Sequence, residues 1–306
     1  MNTPHTSGQI SIGEFTIDRI LDMVGVPFSL NDMLPGVTEE DVCELSGSLA
    51  PGRESVQPSE LLLDFGGYLV RGAGLTMLVD AGIGIGKRRL ERPAWNKRTS
   101  TAFIENLESA GSSVEDIEVV VSTHLHADHL GWNTVLVDGE WVPTFPRARY
   151  LLPGSEVQEV MARPEDDRAG HYGSFADSVA PLFTAGVGHR IASDTELVPG
   201  ITMIAMPGHT SGTSVVKIES NGQIGVICGD IIHHEFQLVH PEWTPRFCAD
   251  GDRARAVRRQ LLEDLADTGG YLFPAHFPPS QVDRLGPVFA QRRHDPARDA
   301  GLNRTP

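Results

Sequence analysis

The segment that most restricts this chain is Ile117–Ser122 (IEVVVS) running straight into THLHADHLGW. A short apolar β-branched run of this kind is a buried strand. Three histidines and a carboxylate therefore sit where a strand stops and a loop begins, the place where α/β sheets collect ligands. Imidazole and carboxylate are the donors of zinc, iron and manganese sites. Side chains alternate along a strand, so His124 and His126 leave the strand end on one side, and a tight turn through Ala127 aims Asp128 and His129 at a neighbouring point. One cation at each point gives a pair roughly 3.5 to 4 Å apart, the spacing of metal-assisted hydrolysis. A lone histidine is most often a surface or core residue, but that reading does not account for four such donors within six positions.

Further donors must come from distant sequence. His209 in MPGHTSGT, Asp230 in VICGDIIHH and His276 in LFPAHFP each follow or end an apolar β run. Singly, such residues are usually caps or loop side chains; three at successive strand ends after the cluster point to one site. The surrounding pattern is that of alternating strands and helices. Ile10–Val26 reads as strands broken at Gly13, LLLDFGGYLV and LTMLVDAG as a pair turning at Gly72–Gly74, and 201–206, 214–218 and 223–228 as successive strands. Helices are expected near 38–46, over 101–110, 155–162, 175–185 and 252–267, with a short strand at 271–274 and a frayed tail over 292–306. No repeat or low-complexity linker divides the 306 residues.

Charge and cysteine content narrow the partners. Lys and Arg number 25 against 41 Asp and Glu, a net charge of −16 that repels phosphate backbones and anionic headgroups. Nucleic acid and membrane are not expected partners; a small molecule is. Three scattered cysteines, Cys43, Cys228 and Cys248, make no disulfide framework. The opening MNTPHTSGQI has no basic-then-apolar signal, and no apolar run approaches the roughly 18 residues that span a bilayer. A reducing cytoplasm is the expected location.

The motif order HLHADH, PGHT, GD and a late AHF resembles that of the metallo-β-lactamase-fold hydrolases, across nearly the whole chain. HLHADHLGWN, PTFPRARY, FADSV, GDIIHH, HPEW and LFPAHF are closer still to a subgroup containing methyl parathion hydrolase and quorum-quenching lactonases. The resemblance implies an α/β (α+β) fold: a single-domain four-layer αβ/βα sandwich over residues 1–306, two mixed β-sheets flanked by helices, with a homodimer suggested by analogy. By matching motif, His124, His126 and His209 hold one divalent ion, Asp128, His129 and His276 the other, and Asp230 bridges them. Zinc is the default metal, with manganese, iron or cobalt as alternatives. Asp80 in LVDAGIG matches the Asp that supports the site from behind.

Two cations sharing a hydroxide bring its pKa near neutrality, so no protein nucleophile is needed. Asp128 or a nearby histidine, of which His234 is the better pocket candidate, is expected to carry the proton to the leaving group. His233 is read as a hydrogen-bonding support, and Trp132, Phe236 and His171 as pocket residues; Trp141, Phe145 and Trp243 are nearby, and core packing is the commoner fate of such aromatics. His171 and Tyr172 belong to a lid or to a surface loop. None of Tyr68, Tyr150, Tyr172 and Tyr271 matches the tyrosine that lactonases of this fold often use. GIGIGK (Gly82–Lys87) lacks the spacing of a phosphate loop, and no G-x-S-x-G elbow is present. The expected reaction is hydrolysis of an ester-like bond in a small apolar molecule, a lactone first. A phosphotriester is the alternative within hydrolysis. From other classes, a mononuclear iron persulfide dioxygenase leaves Asp128 and His129 without a second metal, and an inactive scaffold conflicts with the intact ligand set.

Overall fold

The computed structural model describes residues 9–48, 57–192 and 194–281, and the tail expected to fray lies outside them. A turn at Gly13 joins β1 (Ile10–Ile12) to the long β2 (Phe15–Ser29), which pairs antiparallel with β3 (Glu60–Gly72). β4 (Leu75–Val79) returns from the Gly72–Gly74 turn, and the helix Ala102–Ser109 then carries the chain over to β5 (Val119–Val121), parallel to β4. β6 (Thr134–Val137) and β7 (Glu140–Pro143) form a separate hairpin. β8 (Arg149–Pro153) and β9 (Gly188–Ile191) complete a seven-stranded sheet of order β1-β2-β3-β4-β5-β8-β9.

The second sheet follows chain order: β10 (Thr195–Val198), β11 (Ile201–Ala205), β12 (Ser214–Ser220), β13 (Gln223–Gly229), β14 (Tyr271–Pro274) and β15 (Ser280–Gln281). It is antiparallel except where the helix Gly251–Thr268 spans the connection from β13 to its parallel neighbour β14.

The pleat decides the layering. Met77 and Val79 of β4 and Val119 and Val121 of β5 meet Met203, Val216, Ile218, Ile227 and Phe273 of the second sheet. The intervening Leu78 and Val120 point the other way, against Phe103, Leu107, Val157 and Leu182 from the outer helices. On the far side, Val215, Val226 and Leu272 pack on Leu261, Leu262 and Leu265. Strands buried on both faces explain the unbroken apolar runs of the sequence, and each fully buried aliphatic side chain contributes about 1.5 to 3 kcal/mol. The result is the expected four-layer sandwich. Two local readings differ. The helix expected over 175–185 is two, Ser174–Ser178 and Ala180–Thr184, meeting at Val179 (φ −121°, ψ −55°) just before Pro181, which has no N–H to donate. The β6–β7 hairpin turns on Asp138-Gly139, both at positive φ (50° and 89°), a two-residue turn chemistry legible in the sequence but not read there.

Candidate metal centre

Each candidate ligand leaves a strand end at the same edge of the sandwich. His124 follows β5, His126 precedes the one-turn helix Ala127–Leu130 that carries Asp128 and His129, His209 follows β11, Asp230 ends β13 and His276 follows β14. The turn is held in place by a close backbone crossing: Ala81 N–H donates to His129 O (2.7 Å), Gly131 N–H to Gly82 O (2.7 Å) and Trp132 N–H to Ala81 O (2.8 Å). A Cβ at Gly131 would lie 1.8 Å from the Ile83 carbonyl, so only glycine fits there.

Ligand atoms from His124, His126, His209 and Asp230 lie within 4.8 Å of one another, and so do those from Asp128, His129, Asp230 and His276. Asp230 belongs to both groups through different oxygens. Oδ2 is 3.2 Å from His209 Nε2 and 3.7 Å from His124 Nε2, while Oδ1 is 3.1 Å from His129 Nε2 and 2.9 Å from His276 Nε2. His126 Nδ1 stands 2.9 Å from His209 Nε2, and Asp128 Oδ2 is 3.7 Å from His129 Nε2. Buried polar atoms are normally satisfied, yet His124 Nε2 has no hydrogen-bond partner. An orphaned nitrogen among converging imidazoles and carboxylates fits a divalent metal site.

Electrostatics divides the two groups. Burial lowers His124 and His209 well below the ordinary imidazole value, leaving lone pairs free to bind a cation. Burial acts the same way on His129 and His276, but Asp230 with Asp80 and Asp128 around His129, and Asp230 with Asp128 beside His276, overcome it and raise both. Burial also works against the charge of Asp230; the surrounding His129, His276 and His233 reverse that and hold its carboxyl well below the usual range.

Behind the ligands stands a hydrogen-bonded frame. Asp80, at the positive φ of 59°, accepts from Thr123 N–H and Thr123 Oγ1 (both 2.8 Å), and its Oδ2 is 2.8 Å from His129 Nδ1. A non-glycine residue in that conformation costs energy, which these three contacts offset. His276 Nδ1 donates to Asp64 O (2.9 Å), and Arg19 ties Asp64 (2.9 Å) to the Ala275 carbonyl (3.2 Å). Sequence reading did not find Glu156, whose buried carboxylate accepts from Leu125 N–H (2.8 Å) and from Thr210 Oγ1, binding the first metal loop to the PGHT loop. Nor did it find Gln237, which accepts from His233 and His234 N–H (2.7 and 3.1 Å), or the buried Arg258, which donates to the Ile231, Pro241 and Trp243 carbonyls. Glu156 and Arg258 lie far in sequence from the groups they hold, and Gln237, three residues past His234, carries no spacing signal.

A cavity opens over the ligands, with His126, Asp128, His209, Asp230 and His276 at its floor. Phe28, Met33, Leu63, Phe65, Trp95 and Phe247 supply an apolar wall, and Arg92, His171, Tyr172 and His233 are its other polar members. His171 thus lines the cavity: its Nδ1 accepts from Ala127 N–H (3.1 Å) and its ring lies 4.1 Å from that of His126. His234 does not line it. The turn after Asp230 directs His233 inward, 3.1 Å from Asp230 Oδ2, while His234 Nδ1 accepts from Phe236 N–H. Trp132 and Phe236 are likewise core residues, Trp132 stacked 5.9 Å from Phe103 and Phe236 packed among Leu30, Met33 and Phe65. Of the tyrosines, Tyr68 donates to Pro274 O and Tyr150 bonds Phe145, leaving Tyr172 at the cavity. In the GIGIGK loop, Asp22 already accepts from the Ile83 and Gly84 amides (2.9 and 3.0 Å), so these donors are spent internally.

Residues 67–276 match the model of the metallo-beta-lactamase superfamily, and the chain belongs to that superfamily. Among curated proteins it is similar to a probable metallo-hydrolase of Mycobacterium bovis, 24% identical over 206 residues, which cover 61% of this chain and 63% of the relative. The chain thus spans just under two thirds of that relative's length. Among solved structures it shares its fold with a probable metal-dependent hydrolase from Staphylococcus aureus (TM-score 0.72, 20% identity, 87% and 91% of the two chains). It also shares it with the dizinc quorum-quenching lactonase AidC (TM-score 0.71, 21% identity, 90% and 92%).

Proposed function

We propose that this protein is a dinuclear metal-dependent hydrolase that cleaves an ester-like bond, a lactone or other small apolar ester. The observation that carries this reading is the division of Asp230: each carboxylate oxygen faces a separate group of donors, as a ligand bridging two ions does. His124, His126 and His209 hold one ion, Asp128, His129 and His276 the other; zinc is the default. When bound, the ions supply Lewis acidity, bringing the pKa of water near neutrality and polarising the scissile carbonyl.

The chain's own residues do the rest. Among the described residues no Ser, Thr, Cys or Lys lines the cavity, and water is the nucleophile the reading assigns. Asp128, a cavity-floor carboxylate with one oxygen 3.7 Å from His129, is placed to hold the proton released by that water and pass it to the leaving group. His233, rather than His234, is the histidine positioned to share that task. The aromatic wall excludes bulk water and takes the apolar part of the substrate. The test is a hydrolysis screen of lactones, aryl esters and phosphotriesters on zinc-loaded protein with and without chelator. Chelator-sensitive turnover of a carboxylic ester or lactone is expected. Turnover confined to phosphotriesters transfers the assignment to that class, and none on any member overturns it.

A further inference from the structure

Arg92 is the one cavity residue whose charge the metal site does not use. It projects from the 86–98 loop, whose backbone is pinned by Gly86 N–H to Arg98 O (2.8 Å), Lys97 N–H to Lys87 O (2.7 Å) and Trp95 N–H to Arg92 O (2.9 Å). Its guanidinium sits 5.3 Å from the Phe28 ring centroid and 5.5 Å from those of Trp95 and Tyr172. These distances satisfy cation–π attraction, and the three rings leave the cation little freedom to leave the cavity wall. Tyr172 is held in that arrangement at a positive φ of 51°, a backbone state that a tyrosine adopts only when its surroundings impose it.

What the cage does not supply is a counter-charge. The other deeply placed guanidinium groups have one or are tied to carbonyls: Arg19 pairs with Asp64, Arg89 with Asp177, Arg98 with Asp22, and Arg258 donates to three main-chain oxygens. Arg92 forms no ion pair and no side-chain hydrogen bond among the described residues, and its Nε is buried without a partner. The chain has 41 acidic residues against 25 basic ones, yet none of the described residues supplies Arg92 with a carboxylate. A half-buried guanidinium with an unpartnered Nε at a cavity wall is a ready partner for an anionic ligand.

We infer that Arg92 is a specificity residue that binds a carboxylate on the substrate. This rests on the hydrolase reading and narrows it: the substrate is an acidic ester or lactone, with an apolar body against the aromatic wall and an anionic group on the guanidinium. Arginine is suited to the role because its planar fork meets a carboxylate with two parallel hydrogen bonds. Together with the metal floor it makes the cavity locally positive within a strongly acidic chain, which concentrates anionic ligands there.

The experiment compares two chromogenic esters on the zinc-loaded full chain: 4-nitrophenyl butyrate and the mono-4-nitrophenyl ester of glutaric acid, matched except for the terminal carboxylate. The native protein favours the acidic ester about tenfold or more in kcat/KM. Arg92→Gln collapses that ratio, chiefly through KM of the acidic ester, and Arg92→Lys retains part of it because the charge remains without the fork. Melting temperature and zinc content of both variants identify any loss of fold. Trp95 fluorescence titrated with glutarate and with glutaramide supplies a readout independent of turnover: saturable binding of glutarate alone, lost in Arg92→Gln, is expected. If neither ester is cleaved but glutarate still binds through Arg92, the hydrolase reading fails and the carboxylate site stands. Equal preference for the two esters, equal binding of the two ligands, or an unchanged ratio in Arg92→Gln overturns the inference.

Discussion

The floor and the wall of the cavity are built on opposite principles. At the metal centre, donors are oriented by a second group: Asp80 for His129, Thr123 for His124 and the Asp64 carbonyl for His276, while Gln237 holds the turn after Asp230. The wall is apolar packing, Phe65 against Trp95 at 5.4 Å and Trp95 against Tyr172 at 6.2 Å, with few hydrogen bonds fixing any one side chain. Hydrogen bonds fix direction, which metal coordination demands, whereas ring packing tolerates exchange of shape. The floor therefore defines the chemistry, and the wall defines what reaches it.

Substitutions that break this contrast should differ in size and kind. Asp230→Asn removes the carboxylate shared by both donor groups; hydrolysis falls at least about a thousandfold and bound metal is lost, measured by steady-state kinetics and elemental analysis. Asp80→Asn leaves every ligand present but frees His129, and metal affinity falls by about 10- to 100-fold in a competition titration against a chelator. Glu156 gives a stability signature. Burial pushes its carboxyl up from 4.5 to about 7. An acid raised on folding holds its proton in the native state while the unfolded chain has already lost it, so stability declines as pH rises from 4.5 to 7, by on the order of 3 kcal/mol. Glu156→Gln is neutral throughout, and denaturant titrations across that range should show the slope flattened. Smallest is the wall: Trp95→Leu keeps metal content and shifts KM among ester homologues by about three- to tenfold, with kcat little changed.

The floor was far more legible in the sequence than the wall. A donor packed beside an apolar β run, as in IEVVVSTHLHADH, announces both its strand and its chemistry, and His209, Asp230 and His276 repeat that signature. The same periodicity revealed the sheets, because burial on both faces leaves unbroken apolar runs. The wall has no such grammar. Phe28, Trp95 and Tyr172 come from β2 and two loops, and only the fold brings them together. Trp132 and Phe236 sit nearer the motifs in sequence, yet the crossing at Gly131 and the helix Phe236–Val239 turn them into the core. Between adjacent histidines, a single residue of register decided the matter: the Gln237 clamp sends His233 to the cavity and His234 away.

The central claim is that Asp230 joins two metal sites, and the most direct measurement is metal stoichiometry. The chelator-stripped protein is titrated with zinc, its bound metal quantified by elemental analysis, and hydrolysis followed at each step. Two zinc ions per chain, with hydrolysis reaching its maximum only as the second is taken up, is the predicted result. Saturation and full activity at one ion per chain would contradict it.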